Sequence, residues 1–293
     1  MDTTHRARPA AVAGNTPTAA LLQDAARRAE RYLDTLDARP VAPGPEAIAR
    51  LAELETAMPA GPTDPAAILV RLDEIVGPAT MGMAGPRFFG FVIGGALPVT
   101  VASNWLATAW DQNAALSSVT PGVSRVEAIA LRWLTDLFGL PESTEGAFVT
   151  GATTANFAAI AAARHRQLAQ VGWSVEADGL FGAPPITVIV GDEAHPTLVK
   201  TLGLLGLGRK RVVRVPVDGE GRMRADRLPR IDGPTILCLQ AGNINSGAFD
   251  PFNDICTAAR AAGAWIHVDG VFGLWARASE RLAPLAAGIE LAD

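Results

Sequence analysis

In the second half of the chain, short apolar segments alternate with helical patterns, and this alternation restricts the possible folds more than any other feature. The strand candidates are residues 146–149, 186–190, 212–215, 235–239 and 265–268; helix candidates follow Thr154 and His195 and span 253–262. Residues 186–190 show little alternation of apolar and polar side chains, as expected when helices cover both faces of a mainly parallel sheet. The sequence therefore predicts an α/β architecture.

The first third of the chain has a different pattern. Apolar residues recur at helical spacing over 18–36, 46–57 and 66–76, and proline-rich stretches separate these segments. We therefore predict a flexible tail at 1–17, an N-terminal helical arm at 18–85 and a large α/β domain at 86–293. Residues 88–110 contain no charged side chain, but their glycines and Pro98 disfavour a membrane-spanning helix. A buried loop and helix near an active site is predicted there.

Composition argues against several classes of partner. A net charge of −5 leaves no broad basic surface for a nucleic acid, and the N-terminal residues lack the apolar stretch of a secretory signal. Cys238 and Cys256 belong to no metal-spaced cluster. We interpret both as reduced core thiols and predict no metal site. The sequence predicts a cytoplasmic protein that binds neither nucleic acid nor membranes.

Three of the predicted strands are followed by residues that suit chemistry, since ligands of such sheets gather beyond the carboxyl ends of the strands. Residues 151–156 form a turn of small residues before a helix, where N–H groups and the hydroxyls of Thr153 and Thr154 favour a phosphate. A threonine N-cap is the alternative. His195 precedes the next helix and suits either capping or packing against a planar ring. Asp269 ends an apolar strand and needs a partner, such as an arginine, backbone donors or a protonated heterocycle.

In this order along one α/β domain, these features resemble the pyridoxal-phosphate-dependent decarboxylases of the aromatic-amino-acid and glutamate decarboxylase group. The similarity runs from about residue 86 to the end of the chain. The stretches that carry it are PRFFGF (86–91), WDQN (110–113), TPGVSRVE (120–127), GATTAN (151–156), AH (194–195), NINSGAFDP (243–251) and HVD (267–269). The resemblance implies a fold-type-I, aspartate-aminotransferase-like large domain that binds pyridoxal 5'-phosphate, and an enzyme that decarboxylates an L-amino acid, with aromatic ones as candidates.

The resemblance also implies roles for individual residues. Three of them would hold the cofactor phosphate: Ala152, Thr153 and Thr154. His195 would stack on the pyridine ring as the catalytic histidine, and Asp269 would pair with the protonated ring nitrogen. Three more would contact the cofactor: Asn243, Asn245 and Val271. The residues that could wall an apolar substrate pocket lie in the uncharged segment: Phe88, Phe89, Phe91, Ile93 and Trp105. Packing in the protein core is the alternative for each of them.

Three departures from the family pattern affect these expectations. The mildest is Gly270, which stands where an alanine is more usual. Gly85 stands where the family usually has a histidine, which bears on the substrate class. The Schiff-base lysine of the family lies beyond the aspartate, after a histidine, and neither Lys200 nor Lys210, the only lysines present, has that context. The expectation is thus a chain that ends before this lysine, without the C-terminal small domain, and is severely impaired in turnover.

Several hypotheses about function and assembly remain open. The parent enzyme is expected to be a homodimer with an amino-acid substrate. An aminotransferase or an aldehyde-forming lyase of the same fold would share the phosphate turn and the aspartate. A non-catalytic fragment that lacks the Schiff-base lysine is the hypothesis of another class. An α/β enzyme without pyridoxal phosphate is the least favoured hypothesis, because it does not explain why the motifs occur together in this order.

Overall fold

The computed structural model describes residues 17–114 and 116–293. The chain divides into two compact units, Met1–Asp111 and Gln112–Asp293. The boundary predicted at residue 86 falls inside the first unit. The predicted tail at 1–17 lies outside the described residues except for Pro17.

Helices dominate the described part of the N-terminal unit. They are α1 (Thr18–Asp34), α2 (Pro45–Arg50), α3 (Pro65–Arg71) and α4 (Pro98–Trp110). Three of them begin with proline, whose missing N–H costs nothing in the first turn, and Asp64 caps α3 by accepting from the Ala66 N–H at 3.3 Å. A 3₁₀ turn, Leu51–Leu54, follows α2, and a π turn, Leu72–Val76, follows α3. The three helices predicted for this region therefore form. The second ends in a 3₁₀ turn and the third in a π turn.

The uncharged segment 88–110 does not form the buried loop and helix that was predicted. No residue of α4 is buried, and Phe89 and Phe91 are 92% and 83% exposed. The helix is apolar around most of its circumference, so one neighbouring surface is too small to cover it. Composition correctly indicated an apolar helix here, but it could not indicate what covers that helix.

The C-terminal unit is built on a four-stranded parallel sheet. Its strands are β1 (Thr187–Gly191), β2 (Val213–Val215), β3 (Thr235–Gln240) and β4 (Trp265–Asp269), in the order β2-β1-β3-β4. Register pairs Val190 with Cys238 and Gln240 with Asp269. Because all four strands run in one direction, their carboxyl ends lie at the same edge of the sheet. Four of the five predicted strands therefore form, within one or two residues of their expected bounds.

Helices cover both faces of this sheet. The helices of the unit are α5 (Pro121–Phe138), α6 (Ala152–Ala169), α7 (Val175–Asp178), α8 (Pro196–Leu204) and α9 (Phe252–Ala261). Side chains of α6 and α8 pack on one face against Val188 and Val190. Side chains of α9 pack on the other face against Ile189, Leu237 and Ile266. The successive residues Val188, Ile189 and Val190 thus face opposite cores, which explains why this strand is apolar without alternation.

The predicted strand at 146–149 is wrong. These residues are irregular, and Phe148 and Val149 are 57% and 42% exposed. A strand needs a neighbour to accept its ladder hydrogen bonds, and within the described residues none lies beside this segment. The one polar contact recorded for it there is weak, from the Phe148 N–H to Glu127 Oε1 at 3.4 Å.

Among the residues that the structure describes, no helix combines the length and the apolar character needed to cross a membrane. Both cysteines are buried free thiols, as predicted. Burial raises the pKa of Cys256 to about 11 and raises that of Cys238 further, so neither thiol is reactive at neutral pH.

Candidate active site

The carboxyl edge of the sheet brings two of the predicted site residues to one concavity. His195 follows β1 and Asp269 is the last residue of β4. Both side chains line a concavity that also includes Glu193 and Gln240. This edge is where a parallel α/β sheet presents its functional groups.

Asp269 is a partly buried carboxylate with two weak hydrogen bonds. Its Oδ1 accepts from the Val271 N–H at 3.4 Å, and its Oδ2 accepts from Asn156 Nδ2 at 3.2 Å. In the described part of the chain it makes no ion pair. A carboxylate can accept about four hydrogen bonds, so Asp269 retains the capacity to bind a cationic N–H.

Asn156 connects Asp269 to a buried histidine. This residue of α6 is 4% exposed, and its Oδ1 lies 2.8 Å from Nε2 of His267. Burial lowers the pKa of His267 to about 4, against the opposing effect of the nearby Asp269 charge. His267 is therefore neutral at physiological pH and donates its Nε2–H to the asparagine oxygen.

Sequence reasoning quoted Asn156 in a motif but gave it no role. A signal was present, because asparagine is a poor residue for a helix interior and here it interrupts an alanine-rich helix. Such a residue within a helix that packs on a sheet indicates a buried hydrogen-bonding role.

His195 has a capping role in this structure. It is the N-cap of α8, and its Nδ1 accepts from the Thr197 N–H at 3.3 Å and lies 2.8 Å from Thr197 Oγ1. These contacts fix the ring orientation and leave Nε2 outside this capping interaction. The capping alternative is therefore observed, and because the imidazole is exposed on the rim of the concavity, capping does not prevent ring stacking.

The small-residue turn opens α6 without a side-chain cap. Gly151 is the N-cap and has extended backbone angles, so the alternative of a threonine N-cap is wrong. The N–H groups of Ala152 and Thr153 precede the first helical hydrogen bonds, which the Thr154 and Ala155 N–H groups make to the Gly151 carbonyl. The Thr154 hydroxyl lies 3.3 Å from that of Thr150. An uncapped helix start of this kind is open to an anion.

Ala152 and Val271 line a second concavity, and Asp269 belongs to both. Val271 is 51% exposed. The turn before α6 and the end of β4 therefore border one space. Asp269 stands between that space and the concavity that holds His195.

Hydrogen bonds of the Asn243 side chain fix the loop after β3. Asn243 is 3% exposed, its Oδ1 accepts from the Asn245 N–H at 2.8 Å, and its Nδ2 donates to Glu193 at 2.8 Å. Asn245 is exposed. The asparagine side chain thus shapes the loop, and contacts of Asn243 and Asn245 with a cofactor stay predictions.

Asp250 has a structural role that sequence reasoning did not identify. It is 7% exposed, and its two carboxylate oxygens accept from the N–H groups of Met223 and Gln240 at 2.6 and 2.7 Å. Burial raises the pKa of Asp250, although these two hydrogen bonds oppose the effect. Asp250 joins the turn that contains Met223 to the end of β3.

The predicted substrate-pocket residues belong to the N-terminal unit. Phe88 is partly buried, Phe89, Phe91 and Ile93 are exposed, and Trp105 lies on α4. Their role in a pocket stays a prediction.

These residues fit the cofactor that the resemblance implies. A pyridinium N–H suits Asp269, which lacks a cationic partner in the described residues, and a phosphate suits the uncapped start of α6. The planar imidazole of His195 on the rim suits an aromatic ring. Nothing in the described concavities supplies a competing cation to Asp269.

Comparison with solved structures gives the fold. A structure titled "Crystal structure of mouse CSAD" superposes with a TM-score of 0.85 at 26% identity and covers 94% of this chain and 60% of that one. The structure of an Oryza sativa protein titled "TDC with PLP and tryptamine" gives a TM-score of 0.84 at 22% identity, over 97% of this chain and 60% of that one. The predicted fold-type-I α/β class is confirmed.

Curated relatives are amino-acid decarboxylases. The chain is 26% identical over 270 residues to an aromatic-L-amino-acid decarboxylase from Bacillus atrophaeus, covering 89% of this chain and 54% of that protein. It is 29% identical over 216 residues to the acidic amino acid decarboxylase GADL1 of Mus musculus, covering 71% of this chain and 38% of that protein. The chain therefore spans about half the length, or less, of these relatives.

The family described as "Pyridoxal-dependent decarboxylase conserved domain" matches residues 45–293. This match covers most of the chain, including every candidate site residue named above. It agrees with the pyridoxal 5'-phosphate dependence that the sequence motifs implied. The chain belongs to the pyridoxal-dependent decarboxylase family.

Proposed function

We propose that the protein decarboxylates an L-amino acid with pyridoxal 5'-phosphate. The observation that carries the proposal is the Asp269 carboxylate, which has no ion-pair partner in the described residues and shares a concavity with His195 at the carboxyl edge of the sheet. The family and the decarboxylase names of its relatives support it.

Each site residue has a distinct task in this proposal. When bound, pyridoxal phosphate accepts the electrons that loss of carbon dioxide leaves on the α-carbon. The negative charge of Asp269 keeps the proton on the ring nitrogen. His195 would stack on the ring and exclude water from that side. Val271, Asn243 and Asn245 would supply the remaining contacts to the cofactor.

The phosphate is held by the start of α6. The N–H groups of Ala152 and Thr153 and the hydroxyl of Thr154 donate to its oxygens, and the helix dipole favours the negative charge. Because two of these donors are backbone N–H groups, their positions are set by the start of α6 itself.

The proposed substrate is an aromatic L-amino acid, for which Phe88, Phe89, Phe91, Ile93 and Trp105 are the proposed apolar pocket residues. The relatives are named for aromatic, acidic and 2,4-diaminobutyrate substrates. The aromatic class is favoured because these side chains are apolar and the segment 88–110 has no charged group to pair with a charged side chain.

We further propose a cytoplasmic homodimer. The support is the apolar surface of α4, where Trp105, Leu106 and Trp110 are 38%, 53% and 58% exposed. An apolar surface of this kind is unfavourable in water. In a two-fold symmetric dimer, the surface of each subunit would be buried against the other.

A second candidate function is cofactor binding without turnover. Lys200 and Lys210 are the only lysines of the 293 residues, and both are exposed, Lys200 on α8 and Lys210 in the turn before β2. Decarboxylation with this cofactor needs a lysine in the site. This observation favours binding without turnover for the 293-residue chain.

The test is a titration of the 293-residue chain with pyridoxal phosphate, followed by tryptophan fluorescence. Asp269→Ala is expected to weaken binding by about 100-fold, since it removes the partner of a buried cation. Asp254→Ala, at an exposed position of α9, is the matched control and should bind as the native chain does. Equal affinities of the two variants would refute the proposed site.

Turnover is tested with the same protein by carbon dioxide release from aromatic, acidic and diamino L-amino acids. Release from the aromatic set supports decarboxylation. Binding without release from any set supports the second candidate. Borohydride treatment followed by peptide mapping then shows whether Lys200 or Lys210 holds the cofactor covalently.

A further inference from the structure

A chain of side-chain contacts joins the two residues that are proposed to hold the cofactor ring. Asn156 Nδ2 lies 3.2 Å from Asp269 Oδ2 and 3.5 Å from Thr197 Oγ1. Thr197 Oγ1 lies 2.8 Å from His195 Nδ1. Asn156 Oδ1 lies 2.8 Å from His267 Nε2. Asn156 is therefore the branch point between the ends of β1 and β4.

Hydrogen-bonding chemistry fixes the direction of each contact. Ionised Asp269 can only accept, so the asparagine NH₂ faces it and the asparagine oxygen faces His267, which must donate. The other N–H of the NH₂ group points to the Thr197 oxygen. The threonine hydroxyl then donates to His195 Nδ1, which also accepts the Thr197 backbone N–H. This arrangement leaves the proton of neutral His195 on Nε2.

We propose that Asn156 is a positioning residue that aims the Asp269 carboxylate at the ring nitrogen of the cofactor and, through Thr197, holds His195 as its Nε2–H tautomer. The proposal rests on the proposed function, because it assigns a task to a residue of that same site. Asn156 lines the concavity that Asp269 shares with Ala152.

A purely structural asparagine would stabilise α6 against β4 and nothing more. The two possibilities differ in one respect that can be measured. A positioning residue affects binding through the ring nitrogen, whereas a structural residue affects every ligand of the site equally.

The experiment compares two ligands of the 293-residue chain, pyridoxal phosphate and its analogue in which the ring nitrogen is replaced by C–H. The native chain should prefer pyridoxal phosphate, because only this ligand pairs with Asp269. Asn156→Leu, which has the same shape without hydrogen bonds, should reduce this preference by about 10-fold or more. Affinity for the carbon analogue should change little.

Gln167→Met is the matched control. Gln167 is a buried amide on the same helix, bonded to the Thr235 N–H at 2.8 Å and to the Gly263 carbonyl at 3.3 Å, outside the two concavities of the site. Its loss should lower stability and leave the ligand preference unchanged. An Asn156→Leu chain that keeps the native preference would overturn the proposal while leaving the proposed function in place.

A native chain without any preference would mean that Asp269 does not hold the ring nitrogen, and both proposals would fall together. Should Asn156→Leu not fold, Thr197→Val tests the same chain of contacts. Its control is Thr201→Val, which removes from the same helix a buried hydroxyl that has no hydrogen-bond partner among the described residues.

The second readout needs no cofactor. Nitrogen NMR of His195 should show the Nε2–H tautomer in the native chain and in Thr201→Val. In Thr197→Val the share of the Nδ1–H tautomer should rise, because only the longer contact from the backbone N–H, at 3.3 Å, still donates to Nδ1. A native His195 protonated on Nδ1, or an unchanged tautomer in Thr197→Val, would overturn the proposed arrangement.

Discussion

The two compact units of this chain bury their apolar side chains to very different extents. In the C-terminal unit, one apolar cluster lies on each face of the sheet. In the described part of the N-terminal unit, Leu36 and Ile75 are the only buried hydrophobic side chains. The polar contacts recorded there include the pair Arg28–Asp73 at 2.7 Å. Partly exposed ion pairs of this kind contribute little to stability.

This difference shows what hydrophobic periodicity can and cannot predict. Periodicity correctly predicted helices in both units, because an apolar stripe reports which face of a helix is covered. It does not report what covers that face. We therefore expect substitutions to have large effects in the C-terminal unit and small ones in the N-terminal unit.

The largest expected effect is the loss of a core side chain in the C-terminal unit. Ile266→Ala should lower the free energy of unfolding by about 3–4 kcal/mol, because it leaves a cavity between β4 and α9. Ile93→Ala, at a position that is 49% exposed, should change it by less than about 1 kcal/mol. Urea unfolding followed by circular dichroism measures both. Similar losses in the two variants would contradict the comparison.

The next effect concerns the buried carboxylate of Asp250. Asp250→Ala leaves the N–H groups of Met223 and Gln240 without an acceptor, so it should cost about 2–3 kcal/mol. Asp254→Ala, four residues later and exposed, should cost less than about 0.5 kcal/mol. Urea unfolding at neutral pH distinguishes these values. A cost below 1 kcal/mol for Asp250→Ala would mean that water replaces its oxygens.

A pH effect should follow from His267. Its folded pKa of about 4 lies below the ~6.5 of the unfolded chain, so between these values only the unfolded chain takes up the proton. Stability is therefore full above pH ~6.5 and falls as the pH drops towards 4. From pH 7 to pH 5 the expected loss is about 2 kcal/mol.

Urea unfolding at pH 7 and pH 5 measures this loss, with His267→Gln as the test of its origin. The variant should be less stable at pH 7 but should lose clearly less than the native chain between the two pH values. His165, which is exposed beside Glu176, provides the control His165→Gln. An equal pH dependence in native protein and His267→Gln would show that other groups cause it.

The fold was predictable where local pattern and tertiary context agree. Residues 235–239 are mostly apolar and bounded by turns, and they form one of the two central strands of the sheet. Residues 146–149 have a similar pattern but lack a neighbouring strand in the described residues. A strand forms only when a neighbouring strand pairs with it, so the sequence of one segment is insufficient to predict it.

The candidate site was predictable where chemistry follows directly from position in the chain. Asp269 was found because a charged residue that ends an apolar strand needs a partner. The role of Asn156 was not found, because it depends on α6 packing beside β4, 113 residues away in sequence. The shaping role of Asn243 likewise required the geometry of the loop.

The smallest effect on the free energy of unfolding is expected on the exposed face of α4. Leu106 is 53% exposed, so Leu106→Ser should cost only about 0.5 kcal/mol, chiefly through helix propensity. The buried counterpart Leu202→Ser, on α8, should cost more than about 3 kcal/mol.

If a second copy covers α4, Leu106→Ser should also weaken self-association in sedimentation experiments. Val126→Ser, at an exposed site of α5, is the control for general surface polarity. A large cost of Leu106→Ser that does not depend on protein concentration would mean that the N-terminal unit covers this helix itself, and the contrast between the two units would disappear.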